Sequence, residues 1–335
     1  MMSGFQLIAD EMPAFTPETF PRISASTAYQ PIVMQLTGKA LHLAVREGRP
    51  QYDTRERCWE PVQPDLPAWE AKNFAGYTLR ERVRHHKTHA AGLMVIRGEV
   101  DMAIIPEPGP ELMDAAAEAG VVLRAVPISR EALIFLVSTQ NPVPDVPAEK
   151  VRQLYAGETV TWQELHEVAP DVPVSALIRN PTSGSHVLLR NTFMGETPVS
   201  ETLDQYVVTH MMGAVLDRVA DDPRTLGYSI FTYHQGMARP ETGDEQQVVS
   251  KSGRPRRATQ PLGLDGVQPS LETISDGRYP YSAPIVALTR ADIPEDHAVR
   301  RLQLWLAGEA GQAWMQSIGF PPAHLTDPPE DDDGD

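Results

Sequence analysis

Three short polar clusters hold the residue types best suited to chemistry in this chain: Ser24–Ala25–Ser26–Thr27, Lys87–Thr88 and Thr182–Ser183–Gly184–Ser185. Each follows an apolar or mixed segment and precedes a helix-period pattern, so each reads as the junction between a strand and a helix. A helix N-terminus presents unpaired N–H groups and a partial positive charge, which suits an anion. Hydroxyls add donors there, and Gly184 lets backbone approach closely. Taken alone, each cluster is just an ordinary helix cap. Three of them, split between two halves of the chain, favour anion capture. Arg179 stands a few residues before Ser183, and its planar fork suits bidentate contact with an oxyanion. Glu107 follows the apolar run Val100–Ile105, at the strand end where open α/β sheets take ligands. A carboxylate only accepts, so beside an anion it requires a ligand that carries a proton.

Other chemistries find less support. His85 and His89 lie four apart, a spacing that puts two ligands on one helix face, with His86 beside them. No third ligand is identifiable and HExxH is absent, so no metal site is assigned. Ser185 and His186 are chain neighbours, a poor geometry for a nucleophile and its base, and there is no GxSxG. Gly-rich nucleotide loops are absent too, so the reading is a binding protein without cofactor and not an enzyme. Cys58 is the single cysteine, which excludes a disulfide within the chain.

These clusters need elements to position them. The stretch from Phe20 to Leu43 reads as strand, polar turn, helix. A second unit has a helix starting near Lys87–Thr88 and ending at Gly98, then the strand Val100–Ile105. Glu111–Ala119 (helix) and Val121–Val126 (strand) repeat the step. Glu131–Val137 (EALIFLV) is the clearest strand, followed by a helix at Ala148–Tyr155 and a short strand at Val174–Ile178. His210–Asp221 reads as helix, Thr225–Thr232 as strand, and the polar, locally basic stretch 236–262 as loop or hairpin. Tyr281–Thr289 is another strand, and Val299–Ile318 an amphipathic helix stopped by Gly319. Helices alternating with short, nearly continuous apolar strands indicate an α/β fold with mostly parallel sheets flanked by helices.

At 335 residues the chain exceeds one average core, so two lobes are expected. They are placed at 15–130 plus 277–325 and at 131–270, with hinge segments near 127–137 and 277–289 and an acidic tail at 326–335. The formal net charge of −16 excludes a general nucleic-acid binder, which needs a basic face. It leaves room for one small anion held by local donors. No stretch reaches the eighteen or so apolar residues of a membrane span. The segment MMSGFQLIADEMPAF lacks a basic region followed by an apolar run, so no signal peptide is read. The expected location is extracytoplasmic if an export segment was trimmed, and cytoplasmic if the chain is complete as given.

The segments FPRISASTAYQP, HHKTHAAGLMVIRGEVDMAI, EALIFLVSTQNPV, VRQLYAGETVTWQEL, RNPTSGSHVLLRNTFM, TLGYSIFTY, YPYSAPIVALTR and LWLAGEAGQAWMQSIGFPP occur in an order that resembles phosphate-binding, PstS-like solute receptors. These are type-2 periplasmic binding proteins, and the likeness covers about residues 20–322. It implies two lobes joined by a two-stranded hinge and a ligand in the cleft between them, delivered to an ABC transporter permease by a protein that is commonly a monomer. It points to Ser26, Thr27, Thr88, Glu107, Arg179, Ser183, Gly184 and Ser185 as ligand contacts, with Lys87 beside them. Two departures stand out. Such receptors usually carry a Ser-Gly-rich turn where this chain has Lys87–Thr88, and a Ser-Asp pair where it has Pro106–Glu107. Phosphate is the leading ligand. The alternative is a sensory or interaction module of the same fold that takes an organic acid, a peptide or a protein.

Overall fold

The computed structural model describes residues 11–41, 43–44, 60–61, 82–181, 183–200, 207–208, 213–238 and 258–324. Cys58, Thr182, the basic segment 251–257 and the tail 326–335 lie outside the described residues. The chain divides into two compact units, Met1–Arg130 with Pro284–Ala323, and Glu131–Ala283 with His324–Asp335.

The first unit begins with strand β1 (Ile23–Ala25), a 3-10 turn at Thr27–Tyr29 and helix α1 (Gln30–Ala40). Strand β2 (Val83–His85) leads into α2 (Thr88–Ile96), β3 (Met102–Pro106) and α3 (Pro110–Glu118). β1 pairs in parallel with β2 and with β3, Ala25 lying opposite both His85 and Ile104. Their carboxyl ends therefore fall on one edge of the sheet. The sheet stays in place because α2, α3 and β3 close a dry core in which Ala91, Val95, Ala103 and Ile105 are fully buried. β4 (Leu123–Ser138) then carries the chain out of this unit at Arg130 and into the second at Glu131. The two strand segments predicted at Val121–Val126 and Glu131–Val137 are thus one continuous strand.

In the second unit Leu133 to Val137 are each fully buried, as expected of a strand covered on both faces. After it come β5 (Asp145–Val146), α4 (Ala148–Tyr155), α5 (Trp162–Leu165), β6 (Ser175–Ala176) and β7 (Ile178–Arg179). α6 (Gly184–Leu188) continues through π-type turns at Leu189–Met194, and β8 (Val207–Val208) pairs in parallel with β7. α7 (Gly213–Asp221), β9 (Thr225–Ile230), α8 (Phe231–Ala238), β10 (Thr259–Leu264) and α9 (Leu271–Ser275) complete it. β4 lies between β9 and β10 and is antiparallel to both, while β9 pairs in parallel with β6 and β10 with β5. The sheets are parallel towards their outer strands and antiparallel where the chain passes from unit to unit. Two sequence expectations need correction here. The stretch read as strand to Thr232 ends at Ile230, and the stretch read as loop or hairpin over 236–262 starts, in its described part, inside α8 and ends in β10.

The segment LYAGETVTWQEL is architectural. Trp162 is buried and donates from Nε1 to the Arg224 carbonyl at 3.0 Å, and Tyr155 Oη donates to the Leu177 carbonyl at 3.2 Å. Gly157 sits at φ +103°, a conformation that suits glycine. Thr161 and Glu164 form a reciprocal capping box that fixes where α5 begins.

β11 (Ser282–Arg290) returns the chain to the first unit, where it pairs antiparallel with β3. The single closing helix predicted over Val299–Ile318 is two, α10 (Ala298–Ala307) and α11 (Glu309–Ser317), turned at Gly308. The helical period survives the corner, which is why periodicity alone misses it. A side chain at Gly311 would put its Cβ 2.0 Å from the Trp305 carbonyl oxygen. Gly311→Ala is expected to destabilise the first unit by about 3 kcal/mol, read as a lowered denaturation midpoint with an unchanged m-value.

Candidate functional site

In the first unit the predicted residues collect at the carboxyl edge of β1, β2 and β3. Ser26 follows β1 directly, and its N–H donates to the Ile104 carbonyl at 3.2 Å. It stands at the N-cap of the 3-10 turn opened by Thr27, but its hydroxyl makes no capping bond. Ser26 is 6% exposed, and its hydroxyl is not used to cap the turn that follows. Lys87 is the exposed N-cap residue of α2 and likewise makes no side-chain cap, with half-buried Thr88 opening the helix. Glu107 follows β3, is exposed, and ties its N–H to the Pro284 carbonyl at 3.2 Å.

The helical spacing read for the histidines is not what the backbone adopts. His85 ends β2 while His89 lies in α2, so their four-residue spacing does not place them on one helix face. His86 Nδ1 is 3.0 Å from the Ser24 hydroxyl, and its N–H donates to the Ala25 carbonyl at 3.2 Å. Those bonds pin the turn that delivers Lys87 and Thr88.

The second unit carries the tighter arrangement. Arg179 is 6% exposed, and its Nη1 donates to Ser185 Oγ at 2.8 Å. Its backbone N–H donates to Tyr228 Oη at 2.8 Å, which places the residue against β9. Arg179 Nε is buried without a partner, and among the described residues the guanidinium makes no ion pair. Burial lowers the Arg179 pKa, with the nearby Tyr228 and Tyr233 opposing that. A buried guanidinium without a counter-ion is costly.

Ser183 and Ser185 divide the work. Ser183 caps α6, its Oγ accepting from the His186 N–H at 3.3 Å. Ser185 is buried and already accepts from Arg179, so its own proton is left to give. Gly184 opens the helix between them. Sequence reasoning missed Tyr228 and the way His186 joins it at 3.0 Å through Nδ1. Tyr228 lies 49 residues from Arg179, and nothing local in TLGYSIFT marks it as the support of that arginine.

The family model described as the PBP superfamily domain matches residues 67–301. The chain belongs to this superfamily. It is similar to the phosphate-binding protein PstS of Borreliella burgdorferi, 20% identical over 57% of this chain and 62% of the relative. It is also similar to PstS of Staphylococcus aureus, 18% identical over 61% of this chain and 58% of the relative. It thus spans about three fifths of the length of these curated relatives. Among solved structures, an ABC-type phosphate transport receptor from Vibrio cholerae superposes with a TM-score of 0.56. That match has 16% identity and covers 89% of this chain and 98% of the receptor, so it is a likeness of fold. The fold of this superfamily member is that of the type-2 periplasmic binding proteins. Among the described residues no helix is long and apolar enough to cross a membrane.

Proposed function

We propose that the chain is a solute-binding protein that captures phosphate and passes it to an ABC-type importer outside the cytoplasm. The observation that carries the reading is Arg179: nearly sealed from water, bonded to Ser185, with Nε unpartnered and, among the described residues, no carboxylate paired to it. An oxyanion would supply the missing charge and the missing acceptor together. In the first unit, Ser26, Thr27, Lys87 and Thr88 are candidate donors to an oxyanion and Glu107 a candidate acceptor. A carboxylate acceptor favours a ligand that keeps a proton, which phosphate does near neutrality and sulfate does not. The names of the relatives support the same ligand. The action is binding without chemistry, with specificity set by the cost of leaving buried donors unpaired.

The test is calorimetric titration with phosphate, sulfate and a dicarboxylate, on protein unfolded, dialysed and refolded to strip carried-over ligand. Phosphate is expected to bind at micromolar or tighter Kd and sulfate more weakly, since sulfate brings no proton for Glu107 to accept. Binding of the dicarboxylate alone would replace phosphate by an organic acid on the same fold.

A further inference from the structure

Beside Arg179 stands a second buried nitrogen group whose bonding state is fixed by the hydrogen bonds around it. The Arg179 backbone N–H can only donate, so Tyr228 Oη accepts it at 2.8 Å. Tyr228 is 1% exposed, and its own O–H needs an acceptor. His186 Nδ1, at 3.0 Å, is the acceptor that completes the chain. Were Nδ1 the donor instead, the tyrosine proton would be stranded in the interior. The imidazole therefore carries its hydrogen on Nε2, and Nε2 meets no partner among the described residues. His186 is 4% exposed, and Nε2 is not one of the fully buried atoms left without a partner, so what little of the ring meets solvent includes this donor. Burial, with Arg190 and Arg179 nearby, holds the imidazole below its ordinary pKa and keeps it neutral.

We propose that His186 is a further binding residue of the anion site, its Nε2–H donating to the oxyanion held by Arg179. The inference rests on the phosphate reading and sharpens it. Arg179 Nε–H, the Ser185 hydroxyl and His186 Nε2–H would then form a donor-only set. Donors alone select deprotonated oxygens, so a proton on the ligand must lie on an oxygen that this set does not contact. A neutral donor adds this selectivity without a second buried charge beside Arg179.

Two substitutions separate the ring's two nitrogens. His186→Asn keeps an acceptor near the Nδ1 position for Tyr228 and removes the Nε2 donor. His186→Gln reaches the Nε2 position with an amide N–H. Titrated with inorganic phosphate, the asparagine variant is expected to bind about tenfold or more weakly, at an unchanged melting temperature without ligand. The glutamine variant is expected to recover most of that loss. Long-range proton–nitrogen spectra of the wild-type histidines should show the Nε2–H form of His186, and its resonance should move when phosphate is added. Wild-type affinity in the asparagine variant, or equal losses in both variants with a lowered melting temperature, would assign His186 a purely structural part. Either result leaves the phosphate reading standing, provided the wild type binds. No phosphate binding by the wild type overturns both.

Discussion

Replacing Arg179 by methionine is expected to abolish measurable phosphate binding while leaving the ligand-free protein as stable as the wild type, or more stable. The two halves of this prediction have one cause. Arg179 is 6% exposed, pairs with no carboxylate among the described residues, and leaves Nε without a partner. In the unliganded protein it is an uncompensated charge taken out of water, and burial lowers its pKa accordingly. Methionine fills a similar volume and removes that cost, although Ser185 loses the bond it accepts at 2.8 Å. In the liganded protein the same charge has its partner, and truncating one side of a buried, hydrogen-bonded charge pair costs about 3 kcal/mol or more, over a hundredfold in Kd. Thermal melts with and without phosphate read both effects. The wild type should gain stability from the ligand, and the variant should gain none while starting at least as high. A variant that melts well below the wild type and still responds to phosphate would make Arg179 a structural residue. Arg179→Lys should fall between, since it keeps the charge and loses the planar fork.

The fold was legible wherever a segment carried its own explanation. After Glu131 the run ALIFLV is apolar without interruption because Ala132 to Val137 are all fully buried, and a period cannot show when both faces of a strand are covered. The helices that end at Gly98 and Gly120 announced themselves through those stops, at φ +69° and +65°. α8 gave no such notice. It starts directly after β9, and its leading N–H at Thr232 is satisfied by Glu131 at 3.2 Å, 101 residues away. A helix capped from so far along the chain has no local signature, so TLGYSIFT read as strand to its end. The site divides in the same way. Arg179, Ser183, Gly184 and Ser185 are close in sequence and drew attention through residue type and order. What makes Arg179 notable is that the described residues around it supply no countercharge, a property of the packed interior that no spacing encodes. In the sequence His186 is only a neighbour of Ser185, whereas the structure commits its Nδ1 to Tyr228.

The same distant cap leads to the second large effect, a dependence of stability on pH that Glu131→Gln should remove. Glu131 is 1% exposed and accepts from the Ala132 N–H at 3.1 Å, from the Thr232 N–H at 3.2 Å and from the Thr232 hydroxyl. Burial, the largest influence, pushes its pKa up from 4.5 to about 7, against the donors, which favour the ionised form. A folded pKa above the unfolded one means that the folded state holds the proton more tightly. Its stabilising contribution is therefore complete below 4.5, declines as pH rises through the range up to about 7, and is gone above it. The whole span amounts to about 3 kcal/mol. Glutamine does not titrate, so the stability of Glu131→Gln relative to the wild type should climb by about that much between pH 5 and pH 8. His234 pulls the other way, since burial lowers its pKa from 6.5 to about 4 and its contribution is lost as pH falls through that range. It is common to both proteins and cancels in the difference between them. Urea unfolding of the pair at several pH values, followed by a probe in the second unit, measures that difference directly. Curves that stay parallel from pH 5 to pH 8 would show that Glu131 is ionised throughout, held so by the N–H and hydroxyl donors at the start of α8.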